Sequence, residues 1–364
     1  VNRKKKERSN KMRKQDYYEP SIGRESEPRR RPKKKKKRAN RGERAVVTLL
    51  SLLFLTVAVV ATVKYVVRAP EPVTDGEDQQ TQQDGAEDSD AIQTISNGRE
   101  RKSKYCYNIL LYGVDNDAGG SDTNMLMRFD AVNKTVDIVS LPRDTLMSNG
   151  HKLNSSYNNG GTEKLRSNIE DMLGVPVDFY VSVDLKGFIA LIDQIGGVDF
   201  DVPEDMDYDD PYQDLHIHFK KGLQHLSGQQ SMEVVRFRHN SDKDKPAYGG
   251  RQDIGRIGTQ QAFLKTVAQK LMKLENVPAM AETFLKYVKT DLTLGNLVWL
   301  ANQVLSMGGT DAISFATLPG DGAGWYNGKS FYTLYPEQVL EMTNSMLNPY
   351  VADITADEQN ILVP

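Results

Sequence analysis

Two groups of residues in this chain have the types and spacing for chemistry on phosphate. The first lies between residues 108 and 144. The apolar run Ile109-Leu110-Leu111-Tyr112 ends at Gly113 and delivers Asp115, a second carboxylate follows in Ser121-Asp122-Thr123, and a further apolar run over 136–141 empties into Pro142-Arg143-Asp144. Carboxylate oxygens hold a hard cation and a planar guanidinium takes anionic oxygens in pairs, so together these residues suit a phosphate bridged by magnesium. The second group lies farther along. In Val235-Arg236-Phe237-Arg238-His239 an extended backbone would turn both guanidiniums to one side and Phe237 to the other. In Asp253-Ile254-Gly255-Arg256-Ile257-Gly258-Thr259-Gln260-Gln261 the chain enters a helix expected to run to about residue 274. Arg256 and Gln260, four apart, share a face near its N-terminus, where the helix dipole and free N–H groups favour an anion. Two adjacent guanidiniums grip a pyrophosphate better than one. Surface charge or a structural ion-pair network would use the same residue types, and convergence of the two groups on one place is what separates a site from either.

The elements that must position these residues are legible in the pattern. Three strand-like runs, over 109–112, 125–129 and 136–141, are joined by the turn Asp130-Ala131-Val132-Asn133-Lys134 and by the loop carrying Asp122. If they are neighbours in one sheet, the hairpin reverses the middle strand. The loops after the first and third then open at one edge, which gathers Asp115, Asp122, Arg143 and Asp144. Beyond them, apolar residues at Leu165, Ile169, Met172 and Leu173 predict a helix over 162–173, stopped by Gly174. A buried strand is expected over 179–183, a helix over 185–195 closed by Gly196-Gly197, a strand over 198–202, and a helix entrance at Leu226-Ser227-Gly228-Gln229-Gln230. Strands alternating with helices specify an α/β domain, a central mixed sheet flanked by helices. The span 105–340 is long enough for one sizeable core.

Charge divides the chain. Residues 1–44 hold 20 Lys and Arg against 6 Asp and Glu, a net of +14 in a chain whose total is −2, so residues 45–364 carry −16. Such a basic tail buries no core and is expected to be disordered. Residues 45–63 carry no charge and, extended to 67 past Lys64, are long enough to cross a bilayer of roughly 30 Å. The basic flank keeps the tail in the cytoplasm and sends the remainder out, a retained anchor rather than a cleaved signal. The acidic, Gln-rich composition of 68–104 is that of a flexible linker, and residues 341–364 form a C-terminal tail to which the sequence assigns no role. A nucleic-acid partner is not expected, because no finger, helix-turn-helix or aromatic-interleaved basic strand accompanies the tail. Cys106 is the one cysteine, which excludes an internal disulfide and reads as a packed small hydrophobe.

Six acidic residues crowd 204–214, and His216 and His218 alternate in Leu215-His216-Ile217-His218-Phe219, which places both on one side of a strand. The spacing does not match a calcium loop, so the tract 204–214 reads as a solvated acidic loop, and two His without a third ligand read as structural or solvent-facing.

Taken in order, the segments Asn108-Ile109-Leu110-Leu111-Tyr112-Gly113-Val114-Asp115, Ser121-Asp122-Thr123, Leu141-Pro142-Arg143-Asp144, Lys152-Leu153-Asn154, Asp184-Leu185-Lys186-Gly187-Phe188, Val235-Arg236-Phe237-Arg238 and Asp253-Ile254-Gly255-Arg256 with Gln260-Gln261 resemble those of the LytR-CpsA-Psr (LCP) family. Thr290-Asp291-Leu292 and Leu318-Pro319-Gly320 resemble its later segments. The resemblance implies an α-β-α sandwich that moves an anionic glycopolymer, a teichoic acid or a capsular or wall polysaccharide, from a polyprenyl-pyrophosphate carrier to peptidoglycan outside a Gram-positive cell. It implies that Asp115 and Asp122 hold Mg2+ or Mn2+, that Arg143, Arg236, Arg238, Arg256 and Gln260 grip the pyrophosphate, and that Asp253 belongs to the same site. It also implies an apolar tunnel for the polyprenyl tail, with Phe179, Val181, Phe188, Leu191, Ile192 and Val235 as candidate lining. Two positions depart from the family's pattern: Gly120 and Thr259 stand where it often has arginine, so one or two phosphate contacts are either missing or supplied by Lys152 or Arg251. On this reading a sugar hydroxyl attacks the phosphorus that bears the glycopolymer, and Asp253 and Asp144 both stand as candidates to take its proton. A domain that only binds polyprenyl phosphate, and a regulatory membrane protein acting through its basic tail, are the competing readings.

Overall fold

A computed structural model describes residues 67–72, 95–96, 98–114, 119–212, 214–241, 252–273 and 277–364, with the backbone alone at 95–96, 252–253 and 277–280. The basic tail, the apolar span over 45–63, most of the acidic linker, Asp115, Arg251 and the Asp253 side chain lie outside the described residues. Among the described residues no helix is long and apolar enough to cross a membrane.

The central element is β1 (Cys106–Val114), buried along almost its whole length. It pairs antiparallel with β2 (Ser121–Asp130), which pairs antiparallel with β3 (Thr135–Ser140). After helix α1 (Gly161–Leu173), strand β4 (Phe179–Asp184) returns parallel to β1 on its other side. Helix α2 (Leu185–Gln194) follows, its N-terminus capped by the Asp184 carboxylate accepting from the Gly187 N–H at 2.7 Å. The next stretch leaves the sheet: β5 (Val198–Val202), β6 (Met206–Asp210), β7 (Leu215–Phe219) and β8 (Gly222–Leu226) form two ribbons, β6 with β7 and β5 with β8. Then come α3 (Gly228–Arg236), α4 (Gln252–Leu271), α5 (Val277–Tyr287), β9 (Val288–Thr290), α6 (Leu294–Ser306), β10 (Ile313–Thr317), the hairpin β11 (Gly320–Tyr326) and β12 (Lys329–Leu334), and α7 (Pro336–Met342). The sheet order is β9-β4-β1-β2-β3-β10, mixed, with β1/β4 and β3/β10 parallel.

The side-chain period of two along β1 divides the core. Leu110, Tyr112 and Val114 face Leu165, Ile169, Met172 and Leu173 of α1, whereas Tyr107 and Ile109 face Leu292 and Leu300 at α6. Each such side chain contributes on the order of 1.5–3 kcal/mol by leaving water. A third apolar cluster joins the ribbons to α3 and α4 through Phe200, Ile217, Met232, Val234, Phe237 and Phe263.

The stretch 341–364, to which the sequence assigns no role, packs on the first of these clusters through Leu347, Tyr350 and Ile354, all nearly inaccessible. The Asn348 carbonyl takes hydrogen bonds from Lys102 Nζ at 2.9 Å and Arg128 Nη1 at 3.4 Å. Just before β1, Arg101 makes a fully buried ion pair with Asp178, at 2.6 Å and 3.1 Å, and Asp178 also accepts from the Asn108 N–H at 2.8 Å.

Two expectations need correction. The acidic tract 204–214 is not a loop throughout, because Met206–Asp210 pairs along its whole length with Leu215–Phe219. Val235 and Arg236 are not extended: α3 continues through Arg236, and only Phe237, at φ −58° and ψ 134°, leaves the helix. The cause is upstream. Ser227 and Gln230 close a capping box, with Gln230 N–H donating to Ser227 Oγ at 3.3 Å and Ser227 N–H to Gln230 Oε1 at 3.0 Å. Ser231, Met232 and Val234 then bury one helical face, so the helix persists where the alternation Val-Arg-Phe-Arg suggests a strand.

Candidate active site

The sheet brings one set of strand ends to a single edge. Val114, the last residue of β1, pairs with Ser121 at the start of β2 and with Asp184 at the end of β4. Ser140, the last residue of β3, pairs with Met125 of β2 and with Thr317 at the end of β10. A register shift between Gly113 and Val114 places Asp122 beside the rim of β1.

On this edge four charged side chains form a chain of contacts. Arg143 Nη1 donates to Asp122 Oδ1 in a short contact, Arg143 Nε lies 3.4 Å from Asp144 Oδ1, and Lys152 Nζ lies 3.0 Å from Asp144 Oδ2. All four are about one-quarter to one-third exposed, so the pairs add little stability and remain open to a ligand. The loop is fixed by its backbone: Thr145 N–H and Oγ1 both donate to the Pro142 carbonyl, at 3.0 Å and 2.6 Å, and Asn154 N–H donates to the Arg143 carbonyl at 3.0 Å. Leu141 and Leu153 anchor it in the core.

The second group meets the first through Gln260. Its side-chain amide lies within hydrogen-bonding distance of Thr123 Oγ1, at 3.3 Å, and of the Val235 carbonyl, at 3.2 Å. Thr123 follows Asp122, and Val235 precedes Arg236, the last residue of α3. Arg256 lies one turn before Gln260 on α4 and is 7 % exposed. Gln261, which the sequence reading singled out only as part of a motif, hydrogen-bonds to Ser140 Oγ at 2.9 Å, the Ala316 carbonyl at 2.8 Å and Thr317 Oγ1 at 3.2 Å. The paired glutamines therefore fasten α4 to the ends of β2, β3 and β10. Arg236 Nη1 approaches Met232 Sδ at 3.9 Å, and Arg236 and Arg238 both act electrostatically on Tyr208, whose phenol burial pushes upward.

Other motif residues serve the scaffold. Asn108 is fully buried and donates to the Pro176 and Leu347 carbonyls at 2.9 Å and 3.0 Å. Asp291 accepts from the Tyr180 N–H at 2.9 Å where β9 meets β4, and burial pushes its carboxyl upward. At the departure positions, Gly120 has φ +86° and donates its N–H to Asn158 Oδ1 at 2.7 Å, and Thr259 Oγ1 donates to the Gly255 carbonyl at 3.2 Å. Of the candidate tunnel residues, Phe179 and Val181 join the α6 side of the sheet, and Phe188, Ile192 and Val235 join the ribbon cluster. Leu191 is partly buried.

The Asp122 carboxylate, about one-third exposed and already engaged by Arg143, is a hard oxygen donor of the kind a divalent cation takes. Asp115 lies outside the described residues, but Val114, which precedes it, pairs with Ser121, which precedes Asp122. The donor chemistry fits magnesium or manganese. Beside the edge, a groove is lined by Val114, Asp184, Lys186, Lys286 and Lys289; Lys186 belongs to a motif named from the sequence, whereas Lys286 at the end of α5 and Lys289 on β9 lie about a hundred residues farther along and carried no local signal.

The model of the LytR_cpsA_psr family matches residues 72–348. TagV of Bacillus subtilis (strain 168), a polyisoprenyl-teichoic acid–peptidoglycan teichoic acid transferase, is 31% identical over 204 residues, 52% of this chain and 50% of TagV. TagU of Bacillus cereus, described by the same activity, is 30% identical over 250 residues, 65% of this chain and 77% of TagU. The match thus spans half the length of the first relative and about three-quarters of the second. The crystal structure of B. subtilis TagV aligns with a TM-score of 0.56 at 25% identity, over 66% of this chain and 95% of that one. With that match over more than half its length and the mixed sheet shared with TagV, the chain belongs to the LytR_cpsA_psr family.

Proposed function

We propose that this protein transfers an anionic glycopolymer from a polyprenyl-pyrophosphate carrier to peptidoglycan, acting as a phosphotransferase at the outer face of a membrane in which residues 45–67 are its anchor. The observation that carries the reading is the Gln260 amide between Thr123 and Val235, which ties the acidic strand edge to the helix end bearing Arg236. The named activity of TagV and TagU supports the same chemistry.

A divalent cation held by Asp115 and Asp122 would neutralise charge on the pyrophosphate oxygens. Arg143, Arg236, Arg238 and Arg256 bind the remaining anionic oxygens, and Arg256, being nearly buried, acts with little screening. A sugar hydroxyl of peptidoglycan attacks the phosphorus that carries the glycopolymer. The new P–O bond forms as the bond to the bridging oxygen breaks, and polyprenyl phosphate leaves. The hydroxyl proton passes to a carboxylate, Asp144 or Asp253. Lys152 and Arg143 flank Asp144 and orient it. Positioning and charge stabilisation supply most of the acceleration in such transfers. The lysine-lined groove beside the edge gives a polyanionic chain a favourable path away from the reacting phosphorus.

The test is transfer from a purified lipid-linked donor to peptidoglycan, with and without magnesium. Arg236→Ala is expected to lower the rate on the order of 10^3-fold, as loss of a charge-stabilising arginine does in phosphoryl transfer, with the fold intact by circular dichroism. Wild-type transfer by this variant overturns the reading. Protease protection in spheroplasts tests the topology: residues beyond 105 should be cleaved from outside and the basic tail should not.

A further inference from the structure

The β6–β7 ribbon carries a cluster that phosphoryl transfer does not use. Its antiparallel register sets Asp207 opposite His218 and Asp209 opposite His216, so four side chains with metal-binding atoms stand on one face. His216 Nδ1 lies 2.5 Å from Asp209 Oδ1, and His218 Nε2 lies 3.3 Å from the same oxygen. One donor atom from each of Asp209, His216 and His218 falls within 4.8 Å of the others. In a tetrahedron with metal–nitrogen distances of about 2.0–2.1 Å, donors stand about 3.3 Å apart, which the His218–Asp209 distance matches and which the other distances, from 2.5 Å up to at most 4.8 Å, straddle. The sequence shows two alternating histidines; the cross-strand register supplies the third ligand.

The outer partner is present as well. His218 Nδ1 lies 2.9 Å from Asp207 Oδ1. An Nδ1–H donated to that carboxylate leaves Nε2, the atom facing Asp209, unprotonated and available as a ligand, the carboxylate–histidine arrangement that orients metal-bound imidazoles. Asp209 and Asp207 together balance a divalent charge, and the remaining acidic residues of 204–214 raise the local cation concentration. Both imidazoles and Asp209 are about half exposed, which leaves the open coordination positions to solvent. Two imidazoles among three ligands select borderline first-row ions over magnesium and calcium, which prefer all-oxygen shells.

We propose that Asp209, His216 and His218 form a binding site for a divalent first-row transition ion of the zinc type, with Asp207 as the orienting partner. The ribbon is bonded to the segment that follows Arg238: Ser241 N–H donates to the Asp207 carbonyl at 2.9 Å, Asp209 N–H to Ser241 Oγ at 3.1 Å, and Asp207 N–H to Asn240 Oδ1 at 2.8 Å. An ion clamping β6 to β7 therefore stiffens the support of that segment. The site itself stands independently of the transfer reaction.

The experiment is calorimetric titration of the tag-free full chain in detergent with Zn2+ alone, repeated with Co2+ for its visible absorption, in excess Mg2+. One equivalent is expected to bind. His216→Ala and His218→Ala should each weaken binding by more than roughly 100-fold, and Asp207→Asn by roughly 10- to 100-fold, the usual cost of losing an outer partner. His225→Ala, on the neighbouring ribbon, should leave the affinity unchanged. The substituted side chains are exposed, and an unaltered far-ultraviolet spectrum checks that each variant folds. Absence of saturable binding, displacement of Zn2+ by Mg2+, or undiminished binding by the His216→Ala/His218→Ala double variant overturns the proposal.

Discussion

The Gln260 side-chain amide lies 3.3 Å from Thr123 Oγ1 and 3.2 Å from the Val235 carbonyl, joining two segments more than a hundred residues apart in sequence. Gln260→Leu keeps the volume and removes both bonds. Each is worth about 1 kcal/mol net, so stability should fall by about 1–3 kcal/mol. Transfer should fall about 10- to 100-fold, because each 1.36 kcal/mol of lost positioning is a factor of ten. Denaturant melts and initial rates on the same preparation separate the two effects.

Asp122 engages Arg143 where the proposed cation would sit. Asp122→Asn keeps the shape and removes a charge that a hard cation needs. The magnesium concentration for half-maximal transfer should rise at least about tenfold, and a chelator should abolish transfer by the wild type until magnesium is restored. A magnesium titration of initial rates measures both.

Strands were readable where one face or both are buried: 198–202 alternates apolar and polar residues, and the run 109–112 is apolar throughout, as suits a central strand. The common edge followed from one hairpin. The local pattern misled at Val235 and Arg236, where two-residue alternation coincided with a helix fixed by a cap eight residues upstream at Ser227. It was silent on cross-strand partners. Nothing near His216 in sequence says which of six acidic residues will stand opposite, because register is set by the whole ribbon. It was silent too on the last segment, whose apolar residues Leu347, Tyr350 and Ile354 are too sparse to show a period.

Gly120 tests whether the family's arginine can be restored. At φ +86° an L side chain is strained, and a Cβ there would stand 3.4 Å from the Asn154 carbonyl oxygen. Gly120→Arg should therefore cost about 1–2 kcal/mol, and Gly120→Asn less, since asparagine tolerates positive φ. Urea melts of the two variants rank them.

The C-terminal clasp should be part of the folding unit. Ile354 is 2 % exposed and its Cγ2 would stand 2.9 Å from a Cβ added at Gly174, so the helix stop and the last segment fit each other closely. Ile354→Ala should cost about 2–5 kcal/mol. Deleting residues 349–364, just beyond the family match, removes Tyr350 as well and should cost more. Thermal melts of both variants, compared with the wild type, check the order.

Cys106 gives a pH dependence with a definite sign. Burial pushes its thiol up to about 12 from an ordinary value of 9.0, with the nearby Asp130 carboxylate adding to the shift. The folded state therefore holds the proton more tightly than the unfolded chain. Its contribution is fully present below pH 9, is lost as pH rises toward 12, and amounts to a few kcal/mol at most. Replacing Cys106 by Ser or Ala should flatten the fall in unfolding free energy across that window. In the native protein at pH 8 the thiol should resist alkylation and Ellman's reagent and become reactive in denaturant at the rate of a free cysteine. Rapid labelling under native conditions would mean that the start of β1 opens far more often than its burial allows.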